Sequence, residues 1–378
     1  MRVLQLAAKM LSLERFALPL MDRLRTAGFS VEAMGQFDGT EARVADAHFP
    51  VHNWQAGHSF HPLHILRARR ELRQFLAGNR YDIVHSHCSF GGIIGNSIAA
   101  RCVRHLVYTQ HGFFVHDGLS PVLRAPWLAI EKMGLRPADH VICVSRAEQE
   151  LARSLGVGPP GKFMHVNGAG IDIARFSLPD NQRLERRRLL RHELRLADDE
   201  LVLLTVSRLT WDKGYREMIE AVRDLAARGH EFVLLAAGSG KDEAAIRASI
   251  EAAGISDRLR LLGWRDDVAD LYCAADVFVF ASHREGLPIS PIEAMASGLP
   301  VVLSALPGCR EEIEDSVNGL LFATGDAREL AQQLARLISD AGLRSRLGEN
   351  AHARAAIFDR ERVLDAQMEL YRSIAERT

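Results

Sequence analysis

Asp276-Val-Phe-Val-Phe-Ala281 and, shortly after it, Glu285-Gly-Leu-Pro-Ile-Ser-Pro-Ile-Glu293 form the stretch on which the reading of this chain turns. The first string is short, apolar and rich in β-branched and aromatic residues, which predicts a buried strand; Ile292 to Ser297 predicts a helix ending at Gly298. Glu285 then falls in the loop at the carboxyl end of a strand, and Glu293 falls inside the following helix. In an open α/β sheet that crevice is where ligands bind, and a helix start between two acids offers unpaired N–H groups to a phosphate. A carboxylate at each end of such a cradle accepts hydrogen bonds from hydroxyls, one set on a ribose and one on a sugar.

A second stretch predicts the same local architecture. Leu201-Val-Leu-Leu-Thr-Val-Ser207 reads as a buried strand, followed by Arg208-Leu-Thr-Trp-Asp-Lys213-Gly214 and a helix with Met218, Ile219, Val222 and Leu225 on its apolar face. Two cations thus meet one strand end. Arg208 supplies a planar fork of donors and Lys213 a mobile point charge, a pair suited to a diphosphate.

Together these strings resemble the retaining glycosyltransferases of family 4, which have the GT-B fold: two doubly wound Rossmann-like domains facing a central cleft. The resemblance covers nearly the whole chain. Tyr81-Asp-Ile-Val-His-Ser-His87, Tyr108-Thr-Gln-His-Gly112, Val141-Ile-Cys-Val-Ser145, Asn167-Gly168 and Gly238-Ser-Gly240 are similar to the family's landmarks in the same order. It implies that Arg208 and Lys213 bind the diphosphate, that Glu285 contacts the donor sugar and that Glu293 holds the ribose diol. Gly238 and the loop residues Gly286, Leu287, Pro288 and Ile289 belong to the same implied donor site, and Trp264 and Arg265 of Gly263-Trp-Arg-Asp266 are expected to flank the base. His111 is implied to bond the transferred sugar; His87, at the cleft end of its strand, is read as lining the acceptor side. The likeness is nearest to the bacterial branch that builds surface polysaccharide or lipid-linked oligosaccharide.

One departure concerns the first loop. Many members have a Gly-Gly pair there, whereas this chain reads Ala7-Ala-Lys-Met-Leu-Ser-Leu-Glu14, and a Cβ on each residue narrows close backbone approach. Lys9 reads either as a charge replacing those backbone donors on the acceptor side or as an exposed loop lysine.

Composition agrees with two ordinary globular domains. A length of 378 residues favours two domains over one, and 47% apolar residues supply material for two cores. Forty-seven basic side chains against 48 acidic ones leave no global field to attract nucleic acid. Apolar runs such as Phe232 to Ala237 fall far short of the roughly 20 residues that span a bilayer, and Val3 to Ala8 is too short for a signal peptide, so the chain is expected in the cytosol. Five cysteines without paired spacing read as buried hydrophobes in a reducing compartment.

Short apolar runs alternate with helical patterns along the chain. Val3-Leu6, Phe29-Met34, Ile83-His85, Leu106-Thr109, Val141-Val144 and Phe163-Val166 predict one parallel sheet, and the strand from Leu201 with Phe232-Ala236, Leu259-Leu262, Val277-Phe280, Val301-Leu303 and Leu320-Phe322 predicts a second. The boundary is placed near Ser177: residues 1–177 form the acceptor-side domain and 178–359 the nucleotide-sugar domain. By the resemblance, the helix 360–376 crosses back to the first. The run Arg183, Arg186, Arg187, Arg188, Arg191 and Arg195 reads as a solvated linker helix.

Twelve of the 16 histidines precede Arg175, which raises a metal site as an alternative. His85 and His87 share a strand face and His58, His61 and His64 are three apart, but no cysteine or carboxylate accompanies them in zinc-ligand spacing. The expectation is a metal-independent site with no cofactor. In the helix His64 to Leu76, the stripe Ile65, Ala68, Leu72 and Phe75 with Arg67, Arg69, Arg70 and Arg73 around it fits either packing on the sheet or lying on an anionic membrane.

The function expected is retaining transfer of a sugar from a nucleoside-diphosphate sugar, taken as a UDP-sugar, to a hydroxyl of a growing, lipid-linked glycan. Peripheral contact with an anionic inner membrane face and no nucleic-acid partner go with it. A nucleotide-sugar epimerase of similar fold and a catalytically silent sugar-nucleotide-binding module are the alternatives.

Overall fold

The structure is a computed structural model that describes residues 1–57, 61–115 and 120–377. The chain divides into two compact units, one of residues 1–169 with 361–378 and one of residues 170–360. The division falls after Ala169, ahead of the boundary near Ser177, and the last helix, Arg360–Glu376, lies almost wholly in the first unit.

The first unit holds seven parallel strands: β1 (Arg2–Lys9), β2 (Ser30–Gln36), β3 (Val51–Asn53), β4 (Ile83–His87), β5 (His105–Gln110), β6 (His140–Cys143) and β7 (Phe163–His165). They lie in the order β3-β2-β1-β4-β5-β6-β7. β1, β4 and β5 are almost wholly buried, as expected of parallel strands with helices on both faces. Leu4, Leu6, Val84 and Leu106 enter one core with Ala68 and Leu72. Val3, Ile83 and Val107 enter the other, where Val363, Leu364, Met368, Tyr371 and Ile374 of the last helix close over them.

The second unit has six parallel strands: β8 (Val202–Val206), β9 (Val233–Ala237), β10 (Leu259–Gly263), β11 (Val277–Phe280), β12 (Val301–Ser304) and β13 (Leu320–Phe322), in the order β10-β9-β8-β11-β12-β13. Strand order reverses between β1 and β4 in the first unit and between β8 and β11 in the second. Such switch points open a crevice beyond the strands' carboxyl ends, because the two crossovers leave in opposite directions.

Three local expectations are corrected. Residues 7–14 are not a loop: β1 runs to Lys9, a helix starts at Met10, and the close approach comes from glycines opposite, Gly35 and Gly91, whose added Cβ would meet Ala7 at 3.1 and 3.4 Å. The arginine-rich helix, Asp180–Glu193, is docked rather than solvated. Arg187 and Arg191 take the carbonyls ending the helix Val268–Ala274 and both oxygens of Asp276, at 2.6 and 2.8 Å, and Arg191 is 1% exposed. Helix carbonyls and a carboxylate together outbid water for these guanidinium forks. The helix carrying Glu293 spans Ile289–Ala296, starting before Ile292 because Pro288 stands just ahead of its first turn.

The helix Pro62–Gly78 buries Ala68, Leu72 and Leu76 in the core, so its stripe packs on the sheet. Its other side exposes Leu63 (69%), Leu66 (63%), Arg67, Arg70 and Arg73, whereas Arg69 is tied to Ile94 and Ser97. His61 and His64 meet edge to face; His58 lies outside the described residues. Among the described residues no helix is long and apolar enough to cross a membrane.

Candidate functional site

In the second unit the loops that follow β8 and β11 flank the switch point and carry the predicted residues. Gly214 ends the β8 loop with φ +78°, a left-handed conformation, and any Cβ there would stand 2.0 Å from the Ala281 carbonyl oxygen. This close approach holds the two loops together. The Ser282 hydroxyl and the His283 N–H both donate to the Asp212 carbonyl, and His283 also meets Glu217 at 3.0 Å. Lys213 is thereby set against Glu285, and the two side chains form an ion pair while only 10% and 17% exposed. Arg208 differs: its side chain is 64% exposed, with one 3.4 Å contact to Asp212. A guanidinium so loosely held is available to a ligand at little cost in broken bonds.

The helix Ile289–Ala296 starts, just after the loop Gly286-Leu287-Pro288, without a side-chain cap on its first-turn N–H groups. Gly308 allows the next strand's loop to lie against Gly286, since a Cβ would sit 1.9 Å from the Gly286 carbonyl oxygen. Further along the helix, Glu293 accepts from the Tyr272 hydroxyl at 2.9 Å. Burial pushes its carboxyl up to about 7, against the pull of Tyr272, Arg175 and Arg360.

Gly238, with φ +146°, brings the end of β9 against the Ser207 carbonyl oxygen, where a Cβ would be 1.9 Å away. Trp264 stays 60% exposed past β10, its indole N–H donating to Asp266 at 3.0 Å. Arg265 is engaged by Asp267 and Glu193 at 2.5 and 3.0 Å, which hold its guanidinium well above its ordinary pKa. Its side chain is therefore committed within the fold rather than open to a base. A cavity of about 310 Å³ lined by Arg183, Arg187, Asp276 and Pro300 lies at the amino ends of β11 and β12, the opposite edge of the sheet.

Sequence reasoning missed Glu312. It is 0% exposed, and among the described residues neither carboxylate oxygen has a hydrogen-bond partner. Burial, followed by the negative charges of Glu285 and Glu311, pushes its carboxyl well above the usual range. In the string Cys309-Arg-Glu-Glu-Ile313 it looks like one more surface acid, and only packing reveals otherwise. A carboxyl raised in the fold costs stability as pH climbs above its unfolded value, near 4.3. Glu312→Met is therefore expected to raise Tm by several degrees at pH 8 and by less at pH 5, since an unsatisfied buried polar group costs about 1–3 kcal/mol. Equal or lower Tm at pH 8 would show that Glu312 stabilises the fold.

In the first unit the predicted acceptor-side residues also collect at the switch point. Lys9 ends β1, His87 ends β4, and His111 follows β5, with Ala7 level with His87 and His87 level with Thr109 across the sheet. His111 stacks on Phe16 at 4.6 Å and lies 3.5 Å from His87, nitrogen to nitrogen. Desolvation lowers His111 to about 4 and His87 well below its ordinary value, so both rings are neutral at pH 7. Gln110, next to His111 in sequence, lies 3.5 Å from Glu131, which is 1% exposed, accepts the Phe114 N–H at 2.6 Å and is pushed by burial up to about 7.

The two halves are Rossmann-like units, each with polar and charged residues collected at its own switch point. Residues 186–354 match the family model for glycosyl transferases group 1, and residues 13–175 match that for Glycosyltransferase Family 4. A D-inositol 3-phosphate glycosyltransferase of Actinosynnema mirum is 32% identical over 74% of this chain and 70% of its own. The N,N'-diacetylbacillosaminyl-diphospho-undecaprenol alpha-1,3-N-acetylgalactosaminyltransferase of Campylobacter jejuni is 26% identical over 95% of each chain. Among solved structures, HepE of Anabaena in complex with UDP-glucose superposes with a TM-score of 0.79 at 25% identity, over 99% of this chain and 100% of that one. The chain belongs to glycosyltransferase family 4, with the GT-B fold.

Proposed function

We propose that this glycosyltransferase moves a sugar, with retention of anomeric configuration, from a UDP-sugar to a hydroxyl of a growing lipid-linked glycan. The observation that carries the donor half is the Lys213–Glu285 pair beside Arg208 and an uncapped helix start, at the second unit's switch point. Arg208, Lys213 and the N–H groups of that helix stabilise charge as it grows on the departing diphosphate. Glu285 takes sugar hydroxyls, Glu293 the ribose diol and His111 the transferred sugar. The acceptor oxygen bonds to the anomeric carbon on the face from which the diphosphate leaves; the C–O electron pair goes to the phosphate oxygen, which takes the acceptor's proton. A UDP-glucose complex in a structural neighbour supports the donor, and a relative named for a diphospho-undecaprenol substrate supports the acceptor class.

A thermal-shift screen of UDP, GDP and ADP with their sugars tests the donor. UDP-sugars are expected to give the largest rise in Tm, and a GDP- or ADP-sugar giving the larger one would replace the assignment. Proton NMR of the product reads the anomeric configuration, and inversion would end the retaining mechanism. Donor conversion without acceptor would instead indicate an epimerase, and binding without turnover a silent module.

The reaction is proposed to be metal-independent, because Arg208 and Lys213 provide the positive charge that a Lewis-acid ion would contribute. Turnover is expected to be unchanged in EDTA. A loss restored by manganese or magnesium would overturn this.

Membrane contact is proposed for the exposed side of the helix Pro62–Gly78, where Leu63 and Leu66 stand with Arg67, Arg70 and Arg73. Each basic residue near an anionic surface contributes about 1 kcal/mol, so reversing these arginines to Glu is expected to abolish sedimentation with anionic vesicles. Sedimentation equal to the parent's would remove this surface from the proposal.

A further inference from the structure

Six side chains of the first unit form a continuous hydrogen-bonded chain that ends at His111. The Thr109 hydroxyl lies 2.6 Å from His85 Nε2, and His85 Nδ1 lies 2.8 Å from the Tyr371 hydroxyl. Gln5 Nε2 donates to that hydroxyl at 3.2 Å, while Gln5 Oε1 lies 2.7 Å from His87 Nε2. His87 Nδ1 then meets His111 Nε2 at 3.5 Å, a long contact that leaves room for tightening. Gln5, His85, His87, Thr109 and Tyr371 are all buried, so water does not compete for these groups.

The chain has a direction. A glutamine carbonyl oxygen only accepts, so His87 must donate to it from Nε2. A neutral imidazole carries one N–H, so His87 Nδ1 is a lone pair, and the proton in the His87–His111 contact belongs to His111 Nε2. His111 Nδ1 is then a bare acceptor, and among the described residues no side chain or backbone group bonds to it. At the other end the Tyr371 hydroxyl, having accepted from Gln5, donates to His85 Nδ1, and His85 Nε2–H donates to Thr109. All five links share this one polarity. Turning the Gln5 amide over would reverse every one of them and place the His111 proton on Nδ1.

We propose that Gln5, His87 and Tyr371 are positioning residues that hold His111 as its neutral Nε2–H tautomer, leaving Nδ1 to accept a hydrogen bond from a substrate hydroxyl. The last part rests on His111 contacting the transferred sugar. Tyr371 lies on the last helix and Gln5 on the central strand β1, so the C-terminal segment is tied to the state of a residue in the site. A histidine wrongly protonated presents a donor where an acceptor is required, and the hydroxyl is then left without a partner.

Long-range ¹H–¹⁵N correlation spectra of the full-length protein with labelled histidine read the tautomer directly, His111 being assigned by its loss in His111→Gln. The parent is expected to show His111 as the Nε2–H tautomer. Tyr371→Phe, which keeps the buried ring and removes the bridging hydroxyl, and Gln5→Met are each expected to produce a mixture of both tautomers. They are also expected to lower kcat by about threefold or more, with UDP affinity, set in the other unit, unchanged. An Nδ1–H tautomer in the parent overturns the proposal even if neither variant folds; so does an unchanged tautomer in both folded variants. A tautomer that mixes while kcat stays at the parent value leaves the chain standing and removes His111 from contact with the sugar.

Discussion

Lys213→Ala is expected to lower kcat by about a hundredfold or more, with a smaller change in nucleotide affinity. The ammonium is held against Glu285 at 10% exposure, by a loop whose path depends on the close approach of Gly214 to Ala281. A cation fixed in this way pays little reorganisation when charge develops on the leaving group, and removing one such donor typically costs 10²–10³ in kcat. The substitution also takes the counter-charge from Glu285, which then shares its surroundings with the buried acid Glu312. Arg208→Ala is expected to act more on affinity, because its guanidinium is 64% exposed and held by a single 3.4 Å contact, free to meet a ligand in its ground state. Steady-state kinetics with titration calorimetry separate the two effects. A Lys213→Ala enzyme within threefold of the parent kcat would take Lys213 out of the mechanism.

Much of this architecture was legible in the sequence because parallel strands are buried on both faces and appear as uninterrupted apolar runs. Val277-Phe280 and Leu320-Phe322 coincide with strands residue for residue, and the two acids Glu285 and Glu293 fall in the loop and in the helix, as their spacing implied. β3 escaped notice because Val51-His-Asn53 is short, at the sheet edge and only partly buried, so no apolar run marks it. Charge patterning misled at Arg191 and gave no signal at Glu312, for one reason. A charged residue looks solvated in sequence whether or not the fold supplies a partner. Arg191 is buried because helix carbonyls and Asp276 meet it, and Glu312 is buried although no hydrogen-bond partner meets it among the described residues. The chain from Thr109 to His111 was illegible for a different reason: Gln5 and Tyr371 are 366 residues apart, and neither carries a local signature.

Glu293→Ala is expected to weaken binding of the nucleotide by at least about a hundredfold. Hydrogen bonds to a charged acceptor contribute roughly 1.5–3 kcal/mol each, and two are lost if this carboxylate holds the ribose diol. The same assignment predicts a pH dependence with a definite sign. Burial raises the Glu293 carboxyl to about 7, so below that pH the free protein presents a protonated acid, a poorer acceptor for two hydroxyls. Affinity should therefore rise with pH through 7, by up to about tenfold from pH 6 to pH 8, and level off above. Stability of the empty protein moves the opposite way: a carboxyl raised in the fold contributes fully below its unfolded pKa and loses that contribution as pH climbs toward 7. Glu293→Gln should flatten the binding profile while leaving the Tyr272 hydroxyl an oxygen to donate to. Calorimetric titration of UDP at pH 6 and pH 8 checks both expectations. A flat profile in the parent protein, or an alanine variant within threefold of it, would move the ribose diol to another residue.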